Sequence, residues 1–414
     1  MYGEMSLLLA VAATLLCAFL VAQVFSQQAA GKDSRYPVPG RWYYLKKIFY
    51  YLLIQLTPRN KPTYAVLREK ERRGDRTGPL TTADLEKPQT LIPGEEQAID
   101  SVYFTGVSEN DKSFIITRVA RRPKKQSEVW VLLRLEGVGD FQHSAHPDTI
   151  LDSDAEDGWN AGGLKLECLD PFKTWRISFA GVLRKAPFQS QDSKAEAVQV
   201  TFSLLWTAES GVCDFDYDLS AIATAHAMAL EEMSINFFKG LRSRKESSRY
   251  EQWGSHDADL VIGGQEKKMR LFGVHTHSYG ARNWADFHRY AMILMHFETG
   301  ECAHLDLISI PTFLKHYTIG YVLFPDGSKS AIDSSDAHLS TIAEDKDFKN
   351  HYVFNFTAGG KQYSVCASLD AKTSPLIHNS KPSVAETYEC PATFTLAPGH
   401  KGWGIVELYY KNKD

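Results

Sequence analysis

Two histidines one residue apart, His275 and His277, fall in the stretch Leu271 to Trp284 (LFGVHTHSYGARNW), which Asp286, Phe287, His288 and Arg289 follow closely. In an extended strand, alternation puts both imidazoles on one face, with Tyr279 beside them if the strand persists. If that face lines a barrel, two imidazoles and a phenol meet one ligand. Apolar walls would lower the imidazole pKa values and leave neutral histidine available as base or hydrogen-bond partner. His277, His275 and Tyr279 are therefore the candidate catalytic groups. Arg282, Trp284, His288 and Trp253 are candidate ligand contacts, with Arg282 suited to a carboxylate or to locking backbone carbonyls. A structural role for the histidines, hydrogen-bonded inside the barrel, stays open beside this reading. The His-x-His pair is also half of a cupin-like ligand set, but Ser-Tyr-Gly-Ala-Arg follows His277 where that set needs a carboxylate. No metal or cofactor is assigned.

Other polar groupings point less clearly to chemistry. His143 and His146 (DFQHSAHPDT) read as an exposed loop, Trp159 and Asn160 as part of a turn before Gly162-Gly163. Asp214, Asp216 and Asp218 alternate in CDFDYDLS without the Gly and terminal Glu of a calcium loop, so they read as a solvated strand edge. No Gly-x-Ser-x-Gly elbow and no Gly-rich phosphate loop opening a helix is present.

The elements that must position these groups are strands. Gly263-Gly264, Thr299-Gly300, Asp326-Gly327 and Gly359-Gly360 each separate two runs of β-branched and aromatic residues, the signature of a tight hairpin. Runs at 101–105, 113–121, 128–135, 163–168, 174–183 and 198–205 extend the style through the first half. An all-β fold of two consecutive antiparallel barrels is expected, with a linking helix in Ser220 to Phe238. The domains are 1–30, an apolar anchor; 31–96, an interfacial helix and linker; 97–245, a first β-domain; and 246–414, a second.

Met5 to Phe25 runs through 21 residues without a charge, enough helix to cross a bilayer core. The start MYGEM lacks the basic residues of a signal peptide, and Lys32, Arg35, Arg41, Lys46 and Lys47 follow the apolar run. The expectation is a single-pass membrane protein with a cytosolic body. A signal peptide cut near Ser26 is the alternative, in which case Asn355-Phe356-Thr357 becomes a usable sequon. Arg41 to Leu56 (RWYYLKKIFYYLLIQL) mixes rings, lysines and aliphatics as membrane-surface helices do, or as a helix packed on the protein's own core could. Residues 1–79 hold 12 Lys/Arg against 5 Asp/Glu, so with a net charge of −4 for the whole chain the body is acidic. That argues against a nucleic-acid partner, which requires a basic face. The six cysteines form no CxxC and read as reduced thiols.

Three blocks carry a resemblance: Tyr250-Glu251-Gln252-Trp253-Gly254, then Gly273 through His277-Ser278-Tyr279-Gly280-x-Arg282-x-Trp284, and Gly402-Trp403-Gly404-Ile405-Val406-Glu407. With Leu169 to Ile177 in the first half, they resemble a tandem lipocalin-like family distantly related to carotenoid 1,2-hydratases (hydroxyneurosporene synthases), over roughly residues 97–412. The resemblance implies two lipocalin-like barrels. The family motif G-x-R-D-H-S-W-G-x-R-D-W is met at Gly273, His277, Ser278, Gly280, Arg282 and Trp284, while His275, Thr276, Tyr279 and Asn283 depart from it. Two acidic positions are thereby lost, which weakens transfer of a hydratase activity that needs a proton donor. An anchored module of this kind also resembles the N-terminal region of animal phosphoenolpyruvate synthase-like proteins, but no ATP-grasp or phosphohistidine segment is recognisable and phosphotransfer is not expected. The favoured function is a membrane-anchored binding module for an apolar lipid or isoprenoid. A lyase or isomerase of hydratase type on such a ligand, and a purely structural or interaction domain, are the alternatives.

Overall fold

The computed structural model describes residues 35–411 apart from 58–62, 75–79, 155–157, 189–194, 236, 239–246, 371–375 and 379–384. Sixteen strands form the frame. The first eight are β1 (Ala98–Val107), β2 (Phe114–Arg122), β3 (Gln126–Leu135), β4 (Gly139–His143), β5 (Thr174–Lys185), β6 (Glu196–Ala208), β7 (Ser248–Ile262) and β8 (Gln265–Ala281). Each pairs antiparallel with the next, and β8 returns to β1, so the sheet closes. The second eight are β9 (Arg289–Phe297), β10 (Cys302–Ile310), β11 (Leu314–Leu323), β12 (Lys329–Ser335), β13 (His351–Ala358), β14 (Lys361–Leu369), β15 (Ala385–Leu396) and β16 (His400–Lys411). They close in the same way through β14–β15 and β16–β9. The fold is therefore all-β, two closed meander barrels with few helices. Closure removes the sheet edges that would otherwise recruit other strands.

The four glycine-marked hairpins are all present, and the division between sheets is where the sequence reading needs revision. Hairpin β7–β8, placed in the second half by its position, completes the first barrel. The sheets divide between Ala281 and Arg289. Residue 245, the expected boundary, lies outside the described residues. Nothing local in β8 specifies β1 as its partner, since Ala98 pairs with Ala281 across most of the domain.

Burial patterns show how the barrels sit. Strand β6 alternates: Val198, Val200, Phe202, Leu204 and Trp206 point into the first barrel while their neighbours face out. Strand β1 is buried throughout and β9 and β10 nearly so, because their outer faces are covered as well. Val102 and Phe104 fill the first barrel; Tyr103 and Val107 leave it and meet Met292, Leu294, Tyr321 and Ile405 from the second. The second barrel's own interior is apolar, with Ile293, Met295, Leu305, Phe354 and Val406 among its residues. The two barrels thus contribute an apolar interior each and share a buried seam.

Close approach at the β8–β1 crossing requires glycine. A Cβ on Gly273 would lie 2.1 Å from the Thr105 carbonyl oxygen, a backbone atom with no rotamer to escape into. Gly273→Ala is expected to cost about 1–3 kcal/mol, read as a lower urea midpoint with an unchanged m-value.

Helix α1 (Tyr43–Leu56) packs on α3 (Ala221–Leu230), whose N-cap Ser220 accepts from the Ala223 amide. The linking helix is shorter than expected; Glu231 turns extended and accepts from the Lys315 amide of β11. Within the stretch read as a linker, α2 (Tyr64–Arg72) and a short 3-10 turn (Thr82–Glu86) close one end of the first barrel. The apolar run 5–25, expected to be an anchor, lies outside the described residues; among those described, no helix is long and apolar enough to cross a membrane.

Candidate active site at the seam between the barrels

Alternation along β8 does what the sequence requires of it. His275 and His277 both point into the first barrel and are fully buried, and Tyr279 follows at its end. His277 is committed on both sides: Nε2 lies 2.6 Å from Asp100 Oδ1 and Nδ1 lies 2.8 Å from the Tyr250 hydroxyl. Asp100 also accepts from Arg121 Nη1 at 2.8 Å and the Gln89 amide at 3.0 Å. Tyr250 donates in turn to Glu86 at 2.5 Å, whose other oxygen takes Trp175 Nε1 at 2.7 Å. Glu86 comes from the 3-10 turn of the supposed linker. An imidazole saturated in this way positions its neighbours and has no lone pair or proton left for a substrate.

His275 is the opposite case. Neither ring nitrogen has a hydrogen-bond partner among the described residues, and Phe104, Trp175 and Trp206 surround it with ring centroids 4.8, 4.9 and 5.2 Å away. Burial lowers its pKa to about 4. The rings close on the imidazole itself, so His275 is an expensive member of a packed core. His275→Phe is expected to stabilise the fold by about 1 kcal/mol. Because its folded pKa lies below the unfolded 6.5, the wild type loses stability as pH falls from 6.5 towards 4. Melting temperatures measured down that range should fall less steeply in the variant.

The remaining candidates do not join this interior. Arg282 donates to Ser278 Oγ at 3.0 Å and lies over Trp284; Trp253 donates to the Tyr321 hydroxyl at 3.0 Å; all three face the seam. Burial and the nearby Arg118, Arg249 and Arg122 lower the Arg282 pKa to about 9. His288 sits at the second barrel's end near Tyr36. His143 and His146, expected in an exposed loop, are buried, and His143 Nε2 lies 2.9 Å from the Gly162 carbonyl. Asp214 is buried too and accepts from the Ala65 amide.

The titratable groups meet instead at the seam. Across the first barrel's outer face, register aligns Glu251, Thr276, Tyr103, Arg118 and Trp130 in one row. Across the second runs a row of Glu389, Glu407, Met292 and Asp306. Glu389 and Glu407 are direct cross-strand partners and both are buried, an arrangement that resists two negative charges. Burial pushes Glu389 up to about 8 against the opposing pull of Arg118. It pushes Glu407 up to about 7 despite Arg118, Arg249 and Arg282. Tyr290 donates to Glu407.

Arg118 does not neutralise the pair because it is held elsewhere. Its Nη1 donates to Glu128 at 2.8 Å, its Nε donates to Ser101 at 2.9 Å, and the guanidinium lies 4.4 Å over Trp130. Its Nη2 has no hydrogen-bond partner among the described residues. Two strands along the same row, at Asp306, the balance reverses. Glu251 takes hydrogen bonds from Thr276 at 2.9 Å, Arg249 at 3.2 Å, His304 Nδ1 at 2.8 Å and Tyr321. His304 Nε2 is 2.9 Å from Asp306, which also pairs with Arg249 at 3.0 Å. Burial opposes charge here, but Asp306 and Glu251 hold the His304 imidazolium at about 9, and His304 with Arg249 holds Glu251 down at about 2. Carboxyls pushed up and carboxylates held down thus share one buried face, the separation that divides proton donor from acceptor.

Tyr250, Glu251 and Glu407 fall within the sequence blocks quoted above, but no chemical role attached to them there. A single Glu inside the apolar run GIVELYY was the available signal. Asp100, Glu86, His304, Asp306 and Glu389 gave none, since their partners are distant in the chain.

Two closed eight-stranded meander barrels sharing a charged, buried seam define the class of protein. Within it, the chain belongs to the Family of unknown function (DUF8627), whose model matches residues 11–410. No curated protein sequence matches it. Similar solved structures include an AttH-like protein of Nitrosomonas europaea, at 14% identity and TM-score 0.46 over 77% of this chain and 98% of that one. Kievitone hydratase of Nectria haematococca matches at 12% identity and TM-score 0.44 over 78% and 97%. CghA matches at 10% identity and TM-score 0.47 over 79% and 95%. None of these three is a phosphoenolpyruvate synthase-like protein, and at such scores they carry no conclusion about chemistry.

Proposed function

We propose that the chain is an acid–base catalyst of lyase or isomerase type, acting at the seam on a small, largely apolar molecule. The observation that supports this most is the Glu389–Glu407 pair: two buried carboxyls side by side, both pushed above the usual carboxylate range, with Glu389 the one held protonated at pH 7 and Tyr103 and Arg118 opposite. A neutral carboxylic acid can deliver a proton to a C=C bond. In a hydration, that proton forms the new C–H bond, water oxygen bonds to the adjacent carbon, and the proton released by the water returns to the carboxylate. In an isomerisation the carboxylate instead takes a proton from a neighbouring carbon. Arg118 Nη2, without a hydrogen-bond partner among the described residues, would stabilise a developing oxyanion, and Trp130, Trp253, Met292 and Leu294 make the seam apolar around it.

The binding-module reading draws its support from the first barrel's interior, where His275 lacks partners. The aromatic rings packed on that imidazole make the interior a core, which favours the seam. The test is incubation of the full chain with a panel of alkenes, enones and their hydrates in deuterated water, followed by mass spectrometry. Gain or loss of one water, or deuterium incorporated at carbon, supports the reading. If neither occurs with any compound, and none raises the melting temperature, a structural role takes its place.

A further inference from the structure

Helix α1 presents its faces in reverse of a soluble surface helix. A helix of a water-exposed body buries its apolar stripe and turns charge outward. Here Tyr43 and Tyr50 face inward onto α3, and Lys46 reaches back to donate to the Glu231 carbonyl at 2.6 Å. Tyr44, Leu45, Ile48, Phe49, Leu52 and Leu56 face outward, and all are exposed. Ile48 is 59% and Leu56 80% exposed, so the stripe is open along its length. The helix's only charged residues are Lys46 and Lys47, and neither is on the outward stripe. Ile235, beyond α3, adds a further exposed aliphatic.

We propose that this face of α1 lies in the headgroup region of a lipid bilayer, with Ile48, Phe49 and Leu52 against the acyl chains. Three features favour a bilayer over a second copy of the chain. Tyr44 and Tyr51 are exposed on the helix and Trp42 adjoins it, the ring types that settle at a membrane–water interface. Arg41 is exposed just ahead of the helix, suited to anionic headgroups. The 21-residue uncharged run 5–25 precedes α1 by fewer than twenty residues in the sequence, a length of apolar chain that suits a bilayer and not a protein partner. Because α3 connects α1 to β11 and β12, docking sets the second barrel beside the membrane, from which an apolar compound can be drawn. The inference stands independently of the seam chemistry.

The full chain, reconstituted in phosphatidylcholine–phosphatidylserine vesicles, tests it. Leu52→Trp should be quenched by brominated acyl chains several-fold more than Val353→Trp, a strand position 76% exposed on the second barrel. The native tryptophans are common to both variants, so the difference reports the new ring. Equal melting temperatures verify that both fold. Equal quenching of the two variants overturns the proposal, as does a chain-to-chain disulfide formed by Leu52→Cys in place of lipid contact.

Discussion

Glu389→Gln is expected to lower turnover by about 10²–10⁴-fold, the contribution of a positioned general acid, while making the folded chain more stable at neutral pH. The two effects come from one cause. Glutamine keeps the shape of the carboxylic acid and its place beside Tyr103 but has no proton to give. In the wild type the folded state holds a proton on Glu389 up to about pH 8, whereas the unfolded chain releases it near 4.5. Between those values the folded state binds more protons, so wild-type stability falls as pH rises through the window and levels off above it. The variant lacks that slope. Melting temperatures from pH 5 to 9 should therefore diverge in its favour as turnover is lost. Wild-type turnover should itself decline as pH rises through the range where the pair ionises. A variant equally inactive but less stable at every pH would mark Glu389 as structural. Glu407→Gln should behave alike with a window ending lower, near 7. The two sites titrate as a pair.

Asp100→Ala is expected to cost about 3–5 kcal/mol, the penalty for leaving buried charged partners uncompensated. Its carboxylate is wholly buried and holds Arg121, His277 and the Gln89 amide together. The next residue, Ser101, points the opposite way and accepts from Arg118 at 2.9 Å, so loosening β1 also disturbs the seam. Asp100→Asn, which keeps the shape but removes the charge, should fall between wild type and alanine. Denaturant midpoints at constant m-value decide the matter, and a loss below about 1 kcal/mol for the alanine variant would show that the network does not hold the barrel.

The legible part of the fold was its local part. Glycine at Gly263-Gly264 and Gly359-Gly360 supplies positive φ within a two-residue turn, so those hairpins follow from chain-local sterics. Which sheet a hairpin joins is non-local: β7–β8 closes the first barrel only through pairing with β6 and β1. The same divide runs through the site. Alternation sends His275 and His277 inward, but it cannot announce that Asp100 and Glu86 will saturate one imidazole while aromatic rings isolate the other. The outward positions of the same strand, Thr276 and Ser278, enter the sequence reading only as motif positions, with no chemical role, because short hydroxyls carry little signal. They face the seam, where Glu251 and Arg282 find them. Glu389 and Glu407 acquire their chemistry from being opposite each other on β15 and β16 and from a second barrel covering both, and a linear reading contains neither fact.

Infrared spectroscopy of the full chain at pH 7 tests the central claim most directly. The account predicts a protonated carboxylic-acid carbonyl band that disappears in the Glu389→Gln/Glu407→Gln double variant and survives in Asp100→Asn. A wild-type spectrum with no such band, or one the double variant leaves unchanged, would contradict it.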